Sequence, residues 1–173
     1  YNTDYSTIIL APNGERTILT YRGASSQIFA HNFHLDQGEF DWIYVSNLAG
    51  RTDTIAEIFA EATKKGAKIA WNPGKKELQK AEIVRGLLED VAVLIVNKEE
   101  AQILFGDFEC EELILRALNL VKTILITDGP NGVWASDGKT LVRAGMYEDV
   151  ARVDATGAGD AFGSGFVSQW AQG

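Results

Sequence analysis

The sequence has little cysteine, no long hydrophobic run and fewer basic than acidic residues. The single cysteine, Cys110, excludes an intrachain disulfide framework and indicates a reducing compartment. No apolar stretch approaches the length of a membrane span and no signal peptide opens the chain, so we expect a cytoplasmic protein without a membrane partner. Sixteen basic residues against 24 acidic ones give a net charge of −8. That charge argues against nucleic-acid binding, which depends on a basic surface.

Two common nucleotide-binding motifs are also missing. The chain contains no G-x-x-x-x-G-K-[ST] element, which argues against a Walker-type kinase or GTPase. The glycines at Gly157, Gly159 and Gly163 lack the G-x-G-x-x-G spacing and come late in the chain, whereas a dinucleotide-binding fingerprint opens the first βαβ unit. The composition nevertheless fits a folded domain, because 173 residues with 46% hydrophobic content are enough to bury a core.

Strand-like and helix-like segments alternate through the middle of the chain. Thr52 or Asp53 is predicted to cap a helix that ends at Gly66, and proline at Asn72-Pro73-Gly74 leads into a helical segment containing Leu78, Ile83 and Leu87. This alternation predicts a parallel sheet covered by helices on both faces. The predicted strands are residues 41–46, 67–71, 91–96 and 124–126.

Two shorter β-rich segments precede this region, at residues 6–10 and 16–21. Pro12-Asn13-Gly14 joins them, and Asn-Gly is a strong hairpin signal. A further tight turn is predicted at Asp137-Gly138, between residues 133–136 and 140–142. The histidines His31 and His34 are spaced three apart, but neither a cysteine nor clustered carboxylates complete a metal site, so we interpret them as a surface pair.

A glycine-rich turn leads into the last apolar helix. Gly157 and Gly159 can adopt backbone conformations that are closed to other residues, which lets their N–H groups converge where the helix begins. The helix N-terminus favours an anion there, and Asp160 in the first turn is placed to take a proton from an attacking hydroxyl. The alternative is a glycine turn followed by an ordinary amphipathic helix with an acidic first turn.

Polar residues follow two of the predicted strands, where ligands collect in open α/β sheets. Asn97 and Glu100 are spaced to share one face of a helix start and to point toward a magnesium ion, or alternatively to form a capping box. After the next strand, the Thr127 hydroxyl can donate to a phosphate, while Gly129 and Gly132 permit a turn close to a ligand. This second segment is also a hairpin turn into the strand that follows.

Together these three segments resemble the signature of the ribokinase-like (PfkB) carbohydrate kinase family. The match consists of Asp154-Ala155-Thr156-Gly157-Ala158-Gly159-Asp160, Asn97-x-x-Glu100 and Thr127-x-Gly129-x-x-Gly132. The resemblance implies a three-layer α/β/α fold with a mostly parallel central sheet and a small β lid. Residues 1–25 would belong to the lid, and residues 26–173 to the nucleotide-binding core. Both ends of the chain look like cuts, so we expect lid and core to be incomplete.

The resemblance also implies a role for each residue of these motifs. Asp160 would be the catalytic base, the turn of Gly157, Ala158 and Gly159 would form the anion hole, and Asn97 and Glu100 would organise Mg²⁺. The phosphates of ATP would contact Thr127, Gly129 and Gly132, while Asp154 and Thr156 would help to hold a potassium ion.

The function implied is transfer of the γ-phosphoryl group of ATP to a hydroxyl of a sugar or similar small molecule, with a homodimer through the lid as a further expectation. The lid and Ala155, where many members have Thr, favour ribose, fructose or 2-keto-3-deoxygluconate over a nucleoside as acceptor. Two alternatives remain open: a nucleoside kinase of the adenosine type, and a truncated nucleotide- or anion-binding fragment without turnover.

Overall fold

The computed structural model of the chain describes residues 2–10, 16–147 and 157–173. Strands and helices alternate along most of the chain. In order they are β1 (Tyr5–Leu10), β2 (Arg16–Tyr21), β3 (Trp42–Val45), α1 (Thr52–Lys64), β4 (Lys68–Trp71), α2 (Lys75–Leu78), α3 (Ala81–Leu87), β5 (Val91–Asn97), α4 (Lys98–Phe105), α5 (Cys110–Ala117), β6 (Thr123–Thr127), β7 (Val133–Ser136), β8 (Leu141–Ala144) and α6 (Ala158–Trp170). In the described part of the chain, no helix has the length and apolar character needed to cross a membrane.

The first two strands form a small antiparallel sheet of their own. β1 and β2 pair from Tyr5 opposite Tyr21 to Leu10 opposite Arg16, as the hairpin pattern predicts, while the connecting residues 11–15 lie outside the described residues. The end of the hairpin is held by Asp4, whose Oδ1 accepts hydrogen bonds from the N–H groups of Gly23 at 2.8 Å and Ser25 at 3.1 Å. Hydrogen bonds from Ser25 are the main cause that lowers the pKa of Asp4 from 3.8 to about 2.

The other strands form one six-stranded sheet in the order β3-β4-β5-β6-β7-β8. β3 to β6 are parallel, and β7 and β8 continue the sheet as antiparallel strands. Short turns suffice for the antiparallel pairs, whereas each parallel pair needs a helical crossover. The predicted mostly parallel sheet is therefore present, with a β-meander at one edge.

Side chains alternate between the two faces of this sheet and form two apolar clusters. In β5, Leu94 and Val96 join the larger cluster, to which α1, α3, α4 and α5 contribute. Val93 and Ile95 point the other way into the smaller cluster, which α6 covers with Val167. Because helices lie on both faces, the fold has the three layers predicted from the sequence.

Two details of the predicted helices are wrong. The carbonyl of Arg51 accepts the N–H of Ile55 at 3.0 Å, so Arg51 is the N-cap of α1, and Thr52 is already helical rather than the cap. The expected helix after Pro73 is broken into α2 and α3, which changes the phase of the helical face. Ile83 is consequently 51% exposed, and Val84 occupies the core position.

A buried carboxylate joins two loops at the carboxyl edge of the sheet. Glu77 is fully buried, and its Oε1 accepts hydrogen bonds at 2.8 Å from the N–H groups of both Leu48 and Gly50, in the loop that follows β3. Its Oε2 accepts the N–H of Gly74 at 3.0 Å, in the turn that follows β4. Because these amides satisfy the buried charge, Glu77 fixes the two loops relative to each other.

Candidate active site

A polar cleft lies where β5, β6 and the first turn of α6 meet. Asn97 ends β5, Thr127 ends β6, and the two residues are paired in register, so their side chains start from the same edge of the sheet. The start of α6 closes the cleft from the other side. The cleft has a volume of about 230 Å³ and is lined by Asn72, Ile95, Val96, Asn97, Glu100, Thr127, Gly157, Gly159 and Asp160.

The first turn of α6 presents backbone donors to this cleft. Gly157 adopts a left-handed conformation with φ 75° and ψ 0°, and its carbonyl accepts the N–H of Ala161 at 2.8 Å. The amides of Ala158, Gly159 and Asp160 precede that first intrahelical bond and have no acceptor within the helix. No side chain of the described residues caps them. Among the described residues these amides are therefore left for an anion, which the helix dipole also favours.

The first turn of α4 is organised differently, by its own side chains. The Oδ1 atom of Asn97 accepts the N–H of Glu100 at 2.9 Å, and Oε2 of Glu100 accepts the N–H of Asn97 at 2.9 Å. The capping box considered from the sequence is therefore formed. Both side chains still line the cleft, and burial raises the pKa of Glu100 above its ordinary value of 4.5.

The segment after β6 divides between the cleft and the sheet. Thr127 lines the cleft, whereas Gly129 and Gly132 are not among the described residues that line it. Gly129 begins a single helical turn and Gly132 follows it, with φ values of 51° and 89°. A Cβ atom at Gly132 would overlap the carbonyl oxygen of Ala144. Close packing against the neighbouring strand is therefore sufficient to explain why position 132 is a glycine.

Other predicted site residues lie outside the cleft or outside the described residues. Ala158 is the first residue of α6, between the two glycines that line the cleft. Asp154 and Thr156, the predicted potassium ligands, fall within residues 148–156, which are not described, so their role stays a prediction. Among the residues that are described, no group of three or more His, Cys, Asp or Glu side chains is arranged to hold a metal ion.

Sequence reasoning did not assign a site role to Asn72, Ile95 and Val96. Asn72 directly follows β4, and its Nδ2 donates to the carbonyl of Ile95 at 2.7 Å, which joins the ends of two strands beside the cleft. Its position after a predicted strand was the signal that could have identified it. Ile95 and Val96 line the cleft because it extends to the last residues of β5. From the sequence alone, both residues are assigned to the core of the sheet.

The cleft has groups that favour negative charge and groups that favour positive charge, so it suits an anionic ligand with a bound cation. Amides at the positive end of α6 favour negative charge, while the carboxylates of Glu100 and Asp160 favour positive charge in the same cleft. A phosphate group with a bound divalent metal ion satisfies both requirements. Asp160 also lies at the helix terminus, within the cleft that such a phosphate would occupy.

Comparison with known proteins places the chain in a family. The family model described as pfkB family carbohydrate kinase matches residues 2–173. A ribokinase of Haemophilus influenzae is 29% identical over 177 residues, which cover 96% of this chain and 55% of that protein. A probable chloroplastic fructokinase-6 of Arabidopsis thaliana is 28% identical over 191 residues, covering 98% of this chain and 48% of that protein. The chain spans about half the length of these curated relatives.

Solved structures with 19–22% sequence identity share the fold. An adenosine kinase from Sinorhizobium meliloti superposes with a TM-score of 0.84 over 99% of this chain and 55% of that chain. A putative ribokinase II from E. coli in complex with ATP and Mg²⁺ gives a TM-score of 0.80 over 97% of this chain and 58% of that chain. The ribokinase-like architecture predicted from the sequence is thus confirmed, and the chain belongs to the pfkB family of carbohydrate kinases.

Proposed function

We propose that the protein transfers the γ-phosphoryl group of ATP to a hydroxyl of a sugar or a related small molecule. The observation that carries this proposal is the cleft in which Asp160 and the open amides of α6 face the paired ends of β5 and β6. Family membership supports the reaction class. Since the chain covers about half of its relatives, the proposal concerns the whole protein of which these residues form a part.

Asp160 acts as the general base in this proposal. The acceptor oxygen forms a bond to the γ-phosphorus, the bond from that phosphorus to the leaving oxygen of ADP breaks, and the hydroxyl proton passes to the Asp160 carboxylate. The turn of Gly157, Ala158 and Gly159 directs backbone N–H groups at the charge on the transferring group. Their fixed orientation at a helix N-terminus supports this role, because no reorganisation is needed as charge develops.

Glu100, Asn97 and Thr127 are proposed to hold the metal and the phosphates of ATP. Oε2 of Glu100 and Oδ1 of Asn97 are engaged in the capping box, which leaves Oε1 of Glu100 for a hydrated Mg²⁺ ion. Thr127 lines the same cleft, and its hydroxyl would donate to a phosphate oxygen. Bound Mg²⁺ neutralises phosphate charge. Gly129 and Gly132 are assigned to the turn that shapes the nucleotide side of the site.

The acceptor class is proposed as a sugar, with a nucleoside as the competing class. Matching relatives include a ribokinase and a probable fructokinase, while one structural neighbour is an adenosine kinase. A second candidate function is nucleotide or anion binding without turnover. The half-length match to curated relatives favours this second candidate for the chain by itself, since catalysis by positioning fails when part of the positioning groups is absent.

The test is ATP turnover by this chain across a panel of sugars and nucleosides, with Mg²⁺ and K⁺, compared with Asp160→Asn. Where the chain turns over an acceptor, Asp160→Asn should lower turnover about 10²–10⁴-fold, the usual contribution of a general base. Asp41→Asn is the matched control, because Asp41 is exposed and lies just before β3, at the opposite edge of the sheet. The control is expected to keep wild-type turnover.

Each other outcome selects a different conclusion. Turnover that survives Asp160→Asn would refute the base assignment. Silence across the panel together with calorimetric binding of Mg·ATP would support the second candidate, a binding fragment. A folded sample with neither turnover nor binding would contradict both functions.

We also propose that the lid pairs with a second copy of the chain. Tyr5, Leu10 and Leu19 are 64%, 58% and 56% exposed on this two-stranded sheet, and burial of such side chains is favourable. Sedimentation velocity tests the proposal: Leu19→Lys should shift the protein to monomer. Leu115→Lys, at a position 63% exposed on α5, should leave the sedimentation coefficient unchanged. A wild-type chain that is already monomeric would refute lid pairing.

A further inference from the structure

A tyrosine of β3 lies directly beneath the first turns of α6. Tyr44 belongs to the smaller apolar cluster, where Val167 and the partly buried Phe162 and Phe166 of α6 also pack. Gly163 is the buried residue of α6 that meets this tyrosine. A Cβ atom at Gly163 would overlap the Tyr44 hydroxyl oxygen, while the next atoms, Cζ of Tyr44 and Cδ1 of Ile95, would be at 3.4 and 3.5 Å.

The Tyr44 hydroxyl is therefore the atom that requires glycine at position 163. Contacts of 3.4 Å and more are ordinary van der Waals distances, so without this oxygen a methyl group would fit beside the ring and Ile95. Tightly packed interiors respond to one extra methyl group by shifting a neighbouring element. Here the element is α6, and its first turn holds the proposed base.

The hydroxyl is also buried without a hydrogen-bond partner among the described residues. A buried polar atom without a partner lowers stability, so its presence needs an explanation. Burial, followed by the negative charge of Asp160, raises the pKa of Tyr44 above 10.0. The phenol is therefore uncharged at neutral pH and lies close enough to Asp160 to sense its charge.

Asp160 and Gly163 are three residues apart, so they are neighbours on the helix surface. A displacement of α6 at Gly163 is thus transmitted to Asp160 and to the amides of the first turn. Small displacements matter in such a site, since a misplacement of about 1 Å is able to lower a rate by about 10²-fold.

We propose that Tyr44 is a positioning residue, whose hydroxyl sets the height of α6 above the sheet and thereby places Asp160 in the cleft. Tyr44 does not touch the reacting atoms and is not among the described residues that line the cleft. The fit between its hydroxyl and Gly163 carries the inference. The role rests on the proposed function, because it acts through the proposed base.

The test adds a methyl group at position 163 and removes the hydroxyl group at position 44, separately and together. Gly163→Ala should lower kcat about tenfold or more and raise the KM for ATP by a smaller factor, because it displaces the base together with the amides of the first turn. Tyr44→Phe leaves a one-atom gap and should lower kcat less than the alanine variant does. In the double variant Tyr44→Phe/Gly163→Ala, the methyl group occupies that gap. We expect the kcat of the double variant to lie within about threefold of that of Tyr44→Phe alone. If the two substitutions acted independently, their separate losses of kcat would multiply instead.

A matched control comes from the same helix. Gly165 is exposed, and a Cβ atom there would meet nothing within 4 Å, so Gly165→Ala should keep wild-type kcat. This control separates displacement of α6 from the general effect of replacing a helical glycine. Equal losses in Gly163→Ala and in the double variant, or no loss in Gly163→Ala, would overturn the positioning role.

Wild-type turnover distinguishes failure of this inference from failure of the proposed function. If the wild-type chain does not turn over with any acceptor, the proposed activity fails for this chain. The variants at positions 44 and 163 are then compared by their affinity for Mg·ATP, measured by calorimetry. Gly163→Ala should then weaken that affinity, because the amides of α6 move, and the double variant should restore it. Unchanged affinity in Gly163→Ala would refute the inference by this route as well.

Discussion

Helices α4 and α6 both begin at the same cleft, and they differ in whether side chains hydrogen-bond their first backbone N–H groups. At α4, Asn97 and Glu100 exchange hydrogen bonds of 2.9 Å, so side chains of the helix itself satisfy the backbone. At α6, Gly157 provides a left-handed turn, and none of the side chains that the structure describes caps the amides that follow. The first turn of α4 therefore contributes only side chains to the cleft, whereas the first turn of α6 leaves backbone N–H groups open beside the side chain of Asp160.

The chemistry of the two motifs explains this division. An Asn or Glu side chain that caps its own helix occupies the amides that an anion would otherwise reach. Glycine has no side chain to occupy them, and it adopts φ 75° without the steric cost that other residues incur. An uncapped helix start is therefore costly in an empty site and favourable once an anion is bound.

Among variants at the two helix starts, Gly157→Ala is expected to have the largest effect on kcat/KM. The substitution strains the left-handed turn and turns the first amides of α6 away from the cleft, so kcat/KM should fall about a hundredfold, at the lower end of the loss known for one missing donor. Steady-state kinetics at varied ATP would measure the change. Gly138→Ala is the control, because Gly138 has φ 83°, an equally open Cβ position and no place in the cleft.

Both glycine variants should lose similar stability in thermal unfolding, since both place alanine at positive φ. Only the Gly157 variant should lose kcat/KM. If Gly138→Ala lowers kcat/KM as much, the loss at Gly157 reflects general destabilisation and the anion-hole assignment fails.

An intermediate effect is expected from a pair of variants at the start of α4. Glu100→Gln keeps an oxygen that accepts the N–H of Asn97 but removes the charge, so apparent Mg²⁺ affinity should fall about tenfold while stability is retained. Asn97→Ala removes the cap and should lower the free energy of unfolding by about 1 kcal/mol. Mg²⁺ titration of turnover, or of nucleotide binding, and urea unfolding measure the two effects. If Glu100→Gln leaves Mg²⁺ affinity unchanged, Glu100 is a capping residue alone.

The smallest effect is a pH dependence located at α4. Burial raises the pKa of Glu100 in the folded protein above 4.5, so the folded state binds the proton more tightly than the unfolded state. The Glu100 contribution to the free energy of unfolding should therefore decrease as pH rises from 4.5 through the folded pKa. Urea unfolding of wild type and Glu100→Gln across this range measures the difference between them. A constant difference would contradict the burial of this charge.

Much of the architecture was predictable because short-range patterns decide it. The continuous apolar run of β5 indicates a strand covered on both faces, and Asn13-Gly14 indicates the pairing of the lid strands. The position of Asn97 and Thr127 after predicted strands correctly brought them to one edge. Strand ends in an open α/β sheet therefore predict residues that line the candidate cleft.

The remaining features depend on contacts between distant parts of the chain. Glu77 lies in the helical segment predicted after Pro73, and no sequence pattern indicates a role for it. It is fully buried, and backbone amides from two separate loops surround its carboxylate. Tyr44 reads as an ordinary strand residue, and its relation to Gly163 arises only when α6 packs on the sheet. The break between α2 and α3 likewise moved Ile83 out of the core. No local pattern encodes such pairings.

The hydrogen bonds of Glu77 also determine which substitutions the two loops tolerate. This carboxylate holds the loop after β3 through the main-chain N–H groups of Leu48 and Gly50, and every amino acid except proline supplies such a group. A side-chain change at Leu48 therefore keeps the hydrogen bond and affects only the packing of that residue against the larger apolar cluster. A single substitution at position 77, by contrast, would remove the anchors of both loops at once.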